Sequence, residues 1–107
     1  MTDHLRCSDP WGREILLTRE RWFGHILARH PEFHDREDLV REALTAPDLV
    51  NLDRQRPMRE VFYRASPLPY PYTDLLVRVV VKFYAAGEVT TAHFIGEPHR
   101  EETRKWP

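Results

Sequence analysis

The order of hydrophobic patterns along the 107-residue chain predicts an α+β fold, with two N-terminal helices packed on a four-stranded antiparallel sheet. Apolar residues recur at helical spacing between residues 18 and 45. β-Branched and aromatic residues concentrate in four later segments. Since no repeat or long linker divides the chain, residues 1–107 are expected to form a single domain.

The segment "LTRERWFGHILARH" predicts the first helix. Thr18 is a favourable N-cap, and Leu17 and Trp22 have the spacing of a hydrophobic staple. Pro31 disfavours helical backbone at His30, so the helix should end there. The expected apolar stripe consists of Trp22, Phe23, Ile26 and Leu27, continued by position 30. Ahead of this helix, "GREILL" is typical of a short extended segment.

A second helix is expected to begin at Asp35, to stop before Pro47 and to bury Leu39, Val40, Ala43 and Leu44. The four expected strands are "DLVNL", "EVFYRA", "DLLVRVVVKFY" and "EVTTAHFIG". Between the second and third of these, "SPLPYPYT" has three prolines and predicts a stiff connection that joins no ladder.

The last two strands predict a hairpin whose outer face carries polar groups. If "AAGE" contains a two-residue loop, Lys82 lies opposite Thr91. Side chains alternate between faces, so Val79, Val81 and Phe94 share a core face. The opposite face then carries Arg78, Lys82, Thr91 and His93, separated by Val80.

These four side chains suit chemistry on a phosphate. Arg78 and Lys82 would attract an oxyanion, and Thr91 would donate a hydrogen bond to a non-bridging oxygen. A histidine that titrates near neutrality could move the proton. The alternative interpretation is that they are ordinary solvent-facing residues of an antiparallel sheet.

The two histidines of the first helix occupy different parts of its surface. His30 lies within the apolar stripe, which favours a buried structural role, whereas His25 lies at its flank and suits a partly exposed working group. Their spacing of five turns the rings about 140° apart, which disfavours the helical zinc pair of spacing four. No metal or other cofactor is therefore expected, although His34, His93 and His99 remain possible ligands.

Composition restricts the class of protein. The net charge of −1 disfavours unselective binding of nucleic acid, although residues 52–82 carry six cations and three anions, a local balance of +3. Cys7 is the only cysteine, which fits a reducing cytoplasm, and its surroundings do not favour a nucleophile. No apolar run is long enough for a membrane span, and the start "MTDHLRCSDPWGR" lacks the apolar stretch of a signal peptide.

The motifs "GREILLTRERWFGHILARHPEF", "VFYR", "LLVRVVVKF" and "VTTAHF" occur in an order that resembles the barnase–EndoU–colicin–RelE-like (BECR) nuclease superfamily, in particular its phage-barnase branch. The resemblance covers about residues 12–95. It implies a helix-plus-antiparallel-sheet fold and metal-independent RNase activity in a toxin or a phage or mobile-element effector. An antitoxin or immunity protein is then an expected partner. The chain departs from the family at His93, where the pattern prefers an aromatic residue, and in its near-zero net charge.

By the same resemblance, His25 and His30 match the helical histidines, and Tyr63 and Arg64 the Tyr-Arg strand. The leading hypothesis is a cytoplasmic ribonuclease that cleaves RNA by attack of the 2'-hydroxyl. Its candidate catalytic residues are His25, His30, Lys82, Thr91 and His93, and its candidate substrate-binding residues are Tyr63, Arg64, Tyr70 and Arg78. One alternative is a catalytically inactive module of the same fold that binds nucleic acid or protein. Another is an interaction domain with no role in nucleic-acid binding.

Overall fold

The protein, a computed structural model that describes residues 3–107, is built on a seven-stranded mixed sheet. The strands are β1 (Asp3–Ser8), β2 (Glu14–Thr18), β3 (Leu49–Asp53), β4 (Arg59–Ala65), β5 (Leu76–Phe83), β6 (Gly87–Ile95) and β7 (Glu102–Trp106). Their order across the sheet is β1-β2-β6-β5-β4-β3-β7. Neighbouring strands are antiparallel except β2 and β6, which are parallel.

The prediction of two helices on a four-stranded antiparallel sheet is therefore wrong. The four expected strands form the centre of the sheet, as β3 to β6. The extended segment "GREILL" supplies β2, which extends the sheet in parallel beside β6. Strands β1 and β7 were missed because "DHLRCS" and "ETRKW" contain few apolar residues. Both lie at the edges of the sheet, where polar strands are common.

The helices lie between β2 and β3. They are α1 (Arg19–Arg21), a π-helical turn (Trp22–Ile26), α2 (Leu27–Arg29), a 3-10 turn (Pro31–Phe33) and α3 (Glu37–Thr45). Thr18 caps α1 as predicted, because its Oγ1 accepts a hydrogen bond from the backbone N–H of Arg21 at 3.1 Å. The expected end of the helix at His30 is also confirmed, since His30 has a non-helical ψ of 70°. None of the helices within residues 3–107 has the length and apolar character needed to cross a membrane.

The π-helical turn changes which side chains of the first helical segment are buried. Trp22 and Ile26 are buried as expected, but Phe23 is 50% exposed. A π turn closes hydrogen bonds to the fifth residue, so the 3.6-residue spacing assumed from the sequence does not hold beyond it. The side chain of His30 is consequently 30% exposed, and the expectation of a buried structural histidine is wrong.

Helix α3 begins at Glu37, two residues later than predicted. Asp35 has a φ of 58°, a left-handed conformation that cannot belong to an α-helix. The side chains expected to be buried, Leu39, Val40, Ala43 and Leu44, all lie in the core. They pack with Val77, Val79, Val81 and Ala92 on the side of the sheet that we call the helix face.

The opposite side, the second face, carries a smaller apolar cluster of Val61, Tyr63 and Val80. The connection 96–101 must cross this face, because β6 and β7 are separated by three strands. Two hydrogen bonds tie the connection down: the backbone N–H of His99 donates to the Tyr63 hydroxyl at 3.2 Å, and that of Arg54 donates to the Glu101 carbonyl at 3.4 Å. Side chains of this face are therefore buried without a helical layer.

The β5–β6 hairpin has a different register from the one predicted. Phe83 lies opposite Gly87, which leaves a three-residue loop, and the register shifts between Val80 and Val81. Lys82 consequently lies opposite Glu88, so the predicted pairing of Lys82 with Thr91 is wrong. From Val80 toward Arg78 the displacement from the predicted register is two residues, which preserves the alternation of side chains, so Thr91 and His93 stay on the predicted face.

Gly87 lies where β2 meets β6 and has no room for a side chain. A Cβ atom there would lie 2.7 Å from Phe83 Cε1, 2.9 Å from Val81 Cγ1 and 3.0 Å from Ile15 Cγ1. We expect Gly87→Ala to lower the free energy of unfolding by about 1–3 kcal/mol in urea denaturation, through overpacking. Gly24→Ala is the matched control, because nothing lies within 4 Å of its added Cβ. Equal stability of the two variants would contradict the close approach of β2 to β6.

Candidate functional site

The second face of the sheet is organised around a buried ion pair. Arg78 of β5 donates from Nη2 to Glu102 Oε2 of β7 at 2.6 Å. The two side chains are only 14% and 3% exposed. Tyr63 of β4 lies between these strands: its hydroxyl accepts from Arg78 Nε at 3.1 Å and donates to Glu102 Oε1 at 2.6 Å. We call these three residues the Arg78 network.

The strand registers bring these groups together. Tyr63 lies directly opposite Arg78, and Asn51 of β3 donates from Nδ2 to Glu102 Oε1 at 3.2 Å. Within the described part of the chain, no buried side-chain nitrogen or oxygen lacks a hydrogen-bond partner. The network therefore avoids the free-energy cost of an unsatisfied buried polar group.

The hydrogen bonds of the network favour the charged form of Arg78 and the neutral form of Tyr63. Burial opposes the charged form of Arg78, but its hydrogen bonds to Glu102 and Tyr63 outweigh this and raise its pKa. Burial, and then the hydrogen bond to Glu102, also raise the pKa of the Tyr63 hydroxyl. The network therefore consists of one cation, one anion and a neutral phenol at neutral pH.

His93 lies directly opposite Arg78, on β6. Burial, followed by the positive charge of Arg78, lowers the pKa of His93 to about 4. An imidazole ordinarily titrates near 6.5, so this ring is neutral at neutral pH. A neutral imidazole has one nitrogen free to accept a proton.

A second imidazole, that of His30, contacts His93. The ring centroids are 5.4 Å apart and the planes are tilted by 32°. β2 pairs with β6 at two positions, Ile15 with Gly87 and Leu16 with Glu88, and then turns into the helical segment. The helical segment continues along the edge of β6 and ends at His30, beside His93. His30 Nδ1 also lies 3.7 Å from Glu32 Oε2.

Other predicted site residues lie elsewhere. His25 lines a separate surface pocket with Thr18, Arg21 and Glu88. Its pKa is lowered by burial and then by nearby arginines. Arg64 lies next to Tyr63 in β4 and therefore on the helix face, where it donates to the Ala46 carbonyl and approaches Glu42 at 3.9 Å. The structure thus does not bring His25 or Arg64 to the Arg78 network.

Two predicted residues, Thr91 and Lys82, lie on the second face without joining the Arg78 network. Thr91 lies two residues before His93 in β6, so the two side chains point to the same face. Lys82 lies four residues after Arg78, about 13 Å along β5, with its ammonium 4.9 Å from the Tyr84 ring centroid. Tyr70, in the proline-containing connection, is 90% exposed, and Tyr63 is fully buried, with its hydroxyl engaged in the network.

Sequence reasoning missed Glu102 and Asn51, the acidic and amide partners of the network. Glu102 belongs to the polar edge strand β7, whose sequence gives no hydrophobic alternation. Thr103 and Trp106 are residue types found in strands, but together they offer only a weak strand signal. Nothing in the sequence indicates that β7 returns across the sheet to lie beside β3.

Metal binding and thiol reactivity are two further questions for the described residues. Between residues 3 and 107, no group of three or more His, Cys, Asp or Glu side chains is placed to hold a metal ion. Cys7 is partly buried, and burial raises its pKa, which opposes the thiolate form needed for a nucleophile.

Comparison of the chain with protein-family models, curated proteins and solved structures finds no match.

The arrangement of His30, His93 and Arg78 supports acid–base chemistry. It contains a neutral imidazole, a second imidazole in contact with it, and an arginine whose Nη1 donates no hydrogen bond within residues 3–107. These groups can accept a proton, deliver a proton and donate to an oxyanion.

Removal of one member of the ion pair tests the network. Glu102→Leu leaves the buried Arg78 guanidinium without its carboxylate, so we expect the free energy of unfolding to fall by about 3–5 kcal/mol. The double variant Arg78→Met/Glu102→Leu should recover much of this loss, because it leaves no buried charge. The measurement is a double-mutant cycle in urea.

Arg6→Met is the control, because it removes exposed ion pairs with Asp3 and Glu14 and should leave stability nearly unchanged. If Glu102→Leu is as stable as Arg6→Met, Glu102 is not the buried partner of Arg78.

Proposed function

We propose that this protein is a metal-independent endoribonuclease that cleaves RNA by transesterification, as the resemblance to the BECR superfamily implies. The observation that carries the proposal is the contact of His30 with His93 beside Arg78. Two imidazoles next to a guanidinium provide a proton acceptor, a proton donor and a phosphate ligand. No metal is needed for a reaction in which the RNA supplies its own 2'-hydroxyl.

His93 is the general base in this proposal. Its low pKa of about 4 keeps the ring available as a proton acceptor at neutral pH, although such a ring is a weaker base than a free imidazole. A bound phosphodiester brings a negative charge next to the ring, which favours the protonated form and strengthens the base. His30 then protonates the leaving group.

The phosphodiester would lie against the edges of both rings. A centroid separation of 5.4 Å corresponds to rings in contact, which leaves no room for a phosphate between them. Arg78 Nη1 would donate to one non-bridging oxygen, and Thr91, on the same face as His93, to the other.

This arrangement leads to the following proposed bond changes. The 2'-oxygen loses its proton to His93 and forms a bond to phosphorus. The bond from phosphorus to the 5'-oxygen breaks, and that oxygen takes a proton from His30. The products are a 2',3'-cyclic phosphate end and a 5'-hydroxyl end.

The biological setting proposed is that of a toxin or a phage or mobile-element effector acting in the cytoplasm. The order of the family motifs supports this setting, and the lone Cys7 is consistent with a reducing compartment. A ribonuclease of this kind would need an antitoxin or immunity protein in the cell that makes it.

A specific observation favours a second candidate, a non-catalytic module of the same type. The charge of Arg78 is already matched by the buried Glu102, so Arg78 brings no net positive charge to a phosphate beside the His30–His93 pair. Binding of RNA without cleavage would then rest on cations elsewhere on the second face.

Incubation of the pure protein with labelled single-stranded RNA in EDTA tests the enzyme directly. We expect cleavage that leaves cyclic phosphate ends. His93→Phe keeps a ring against His30 but removes the base, and His30→Asn removes the acid. Each should lower the rate by about 10²- to 10⁴-fold, the usual contribution of general acid–base catalysis.

His25→Asn and His34→Asn are matched controls, because His25 lines a different pocket and the His34 side chain is 73% exposed. Both should retain the rate of the unaltered protein. Intact RNA at high protein concentration would remove the enzyme proposal, and loss of activity in His25→Asn would move the acid–base group away from His93.

A further inference from the structure

A basic pocket lies at the end of the second face that is farther from His93. It has a volume of about 270 Å³ and is lined by Arg56, Pro57, Met58, Arg59, Lys82 and Tyr84. The loop between β3 and β4 contributes the first three residues, Arg59 begins β4, and the last two come from the end of β5 and the hairpin loop. We call it the Lys82 pocket.

Among the described residues, the cations of the Lys82 pocket have no anionic partner within ion-pair distance. The side chains of Arg56, Arg59 and Lys82 form no hydrogen bond or ion pair within residues 3–107. Glu88 lies opposite Lys82 in the register, yet no ion pair within 4.0 Å joins them. The carboxylate of the neighbouring Glu60 is engaged elsewhere, by Arg13 and Lys105.

The placement of these cations is unfavourable for the protein alone. Arg59 lies directly opposite Lys82 on neighbouring antiparallel strands, an arrangement in which like charges destabilise the sheet. An anion in the pocket would remove this repulsion. Three convergent unpaired cations therefore indicate an anionic ligand.

An aromatic ring adds a second element of recognition. Tyr84 is 70% exposed, and the Lys82 ammonium lies 4.9 Å from its ring centroid. An exposed ring beside cations is the combination with which proteins bind single-stranded nucleic acid, because the base stacks while the phosphate is neutralised. Met58, 45% exposed, adds apolar surface to the same pocket.

The pocket also leads toward the Arg78 network. Arg56 lines both the Lys82 pocket and a smaller cleft of about 170 Å³, whose wall includes Arg78 and His99. Asp53, Glu101 and Glu102 line this cleft too, so it repels an anion more than the Lys82 pocket does. An RNA strand that crosses this cleft would therefore be bound at its ends rather than within the cleft.

We propose that the Lys82 pocket binds one nucleotide of a single-stranded RNA, with its phosphate on Arg59 and Lys82 and its base on Tyr84. The proposal rests on the proposed function for the choice of RNA as ligand. It makes this pocket a binding subsite about 13 Å along β5 from Arg78, a separation that a short oligonucleotide can span.

The test uses a fluorescein-labelled short single-stranded oligonucleotide with 2'-O-methyl riboses, which the proposed reaction cannot cleave. Fluorescence anisotropy gives its Kd over a series of salt concentrations. We expect Tyr84→Ala to weaken binding by about tenfold through loss of stacking. Arg59→Gln/Lys82→Gln should reduce the slope of log K against log salt by about 0.7, since the variant loses its contact with one phosphate.

Arg41→Gln is the matched control, because it removes one charge from α3, on the helix face. It should bind as the unaltered protein does. Failure of the unaltered protein to bind, or equal affinity of the pocket variants and Arg41→Gln, would overturn the proposal. Equal binding of an abasic oligonucleotide, with no effect of Tyr84→Ala, would also overturn it, because the ligand would then be a polyanion rather than a nucleotide.

Failure of this proposal and failure of the ribonuclease proposal are distinguishable. Binding that depends on the pocket, without cleavage of ordinary RNA, supports the pocket and removes the enzyme. Cleavage that depends on His93, with pocket variants that bind normally, supports the enzyme and removes the pocket.

Discussion

The buried ion pair between Arg78 and Glu102 is the interaction on which the second face of the sheet depends. β7 is hydrogen-bonded to β3, at the opposite side of the sheet from β6, and Glu102 connects it to β5 through a side chain. The Tyr63 hydroxyl joins that ion pair to the connection that crosses the face. A buried ion pair often contributes little net stability, so we expect this one to act mainly by selecting one arrangement of β7 and the crossing connection.

Arg78 also affects the protonation of the His93 ring. The register places the two side chains opposite each other, and both burial and the guanidinium favour the neutral ring. The short pairing of β2 with β6 then decides which residue meets this ring. Since the chain turns into a helical segment after Leu16 and Glu88 pair, His30 arrives at the unpaired edge of β6. The proposed active site is thus a consequence of where one parallel strand stops.

Structural features that depend on residues close together in the chain could be predicted from the sequence. Features that depend on contacts between distant parts of the chain could not. The Thr18 cap, the end of the helix before Pro31 and the buried side of α3 follow from interactions within a few residues. The faces of β5 and β6 also follow, because alternation is a local property. The register failed through a bulge and a third loop residue, neither of which has a distinctive sequence signature here.

Glu102 and the position of β7 depend on a chain reversal that no pattern encodes. The histidine pair illustrates the same limit. The helical wheel placed His30 in the apolar stripe, but the π-helical turn ahead of it changes the spacing, and the His30 side chain is partly exposed. Both residues of the eventual contact, His30 and His93, were candidates from the sequence, yet their proximity depends on the edge of β6.

The most direct measurement of the central claim is an NMR titration of the His93 ring, identified by the resonance that disappears in His93→Phe. We expect the ring to stay neutral as the pH falls through the ordinary imidazole range near 6.5, and to take up a proton only near pH 4. In Arg78→Met/Glu102→Leu the midpoint should move toward the ordinary value, because the guanidinium is lost. A midpoint near 6.5 in the unaltered protein would contradict the account, since His93 would then lie in water rather than buried beside Arg78.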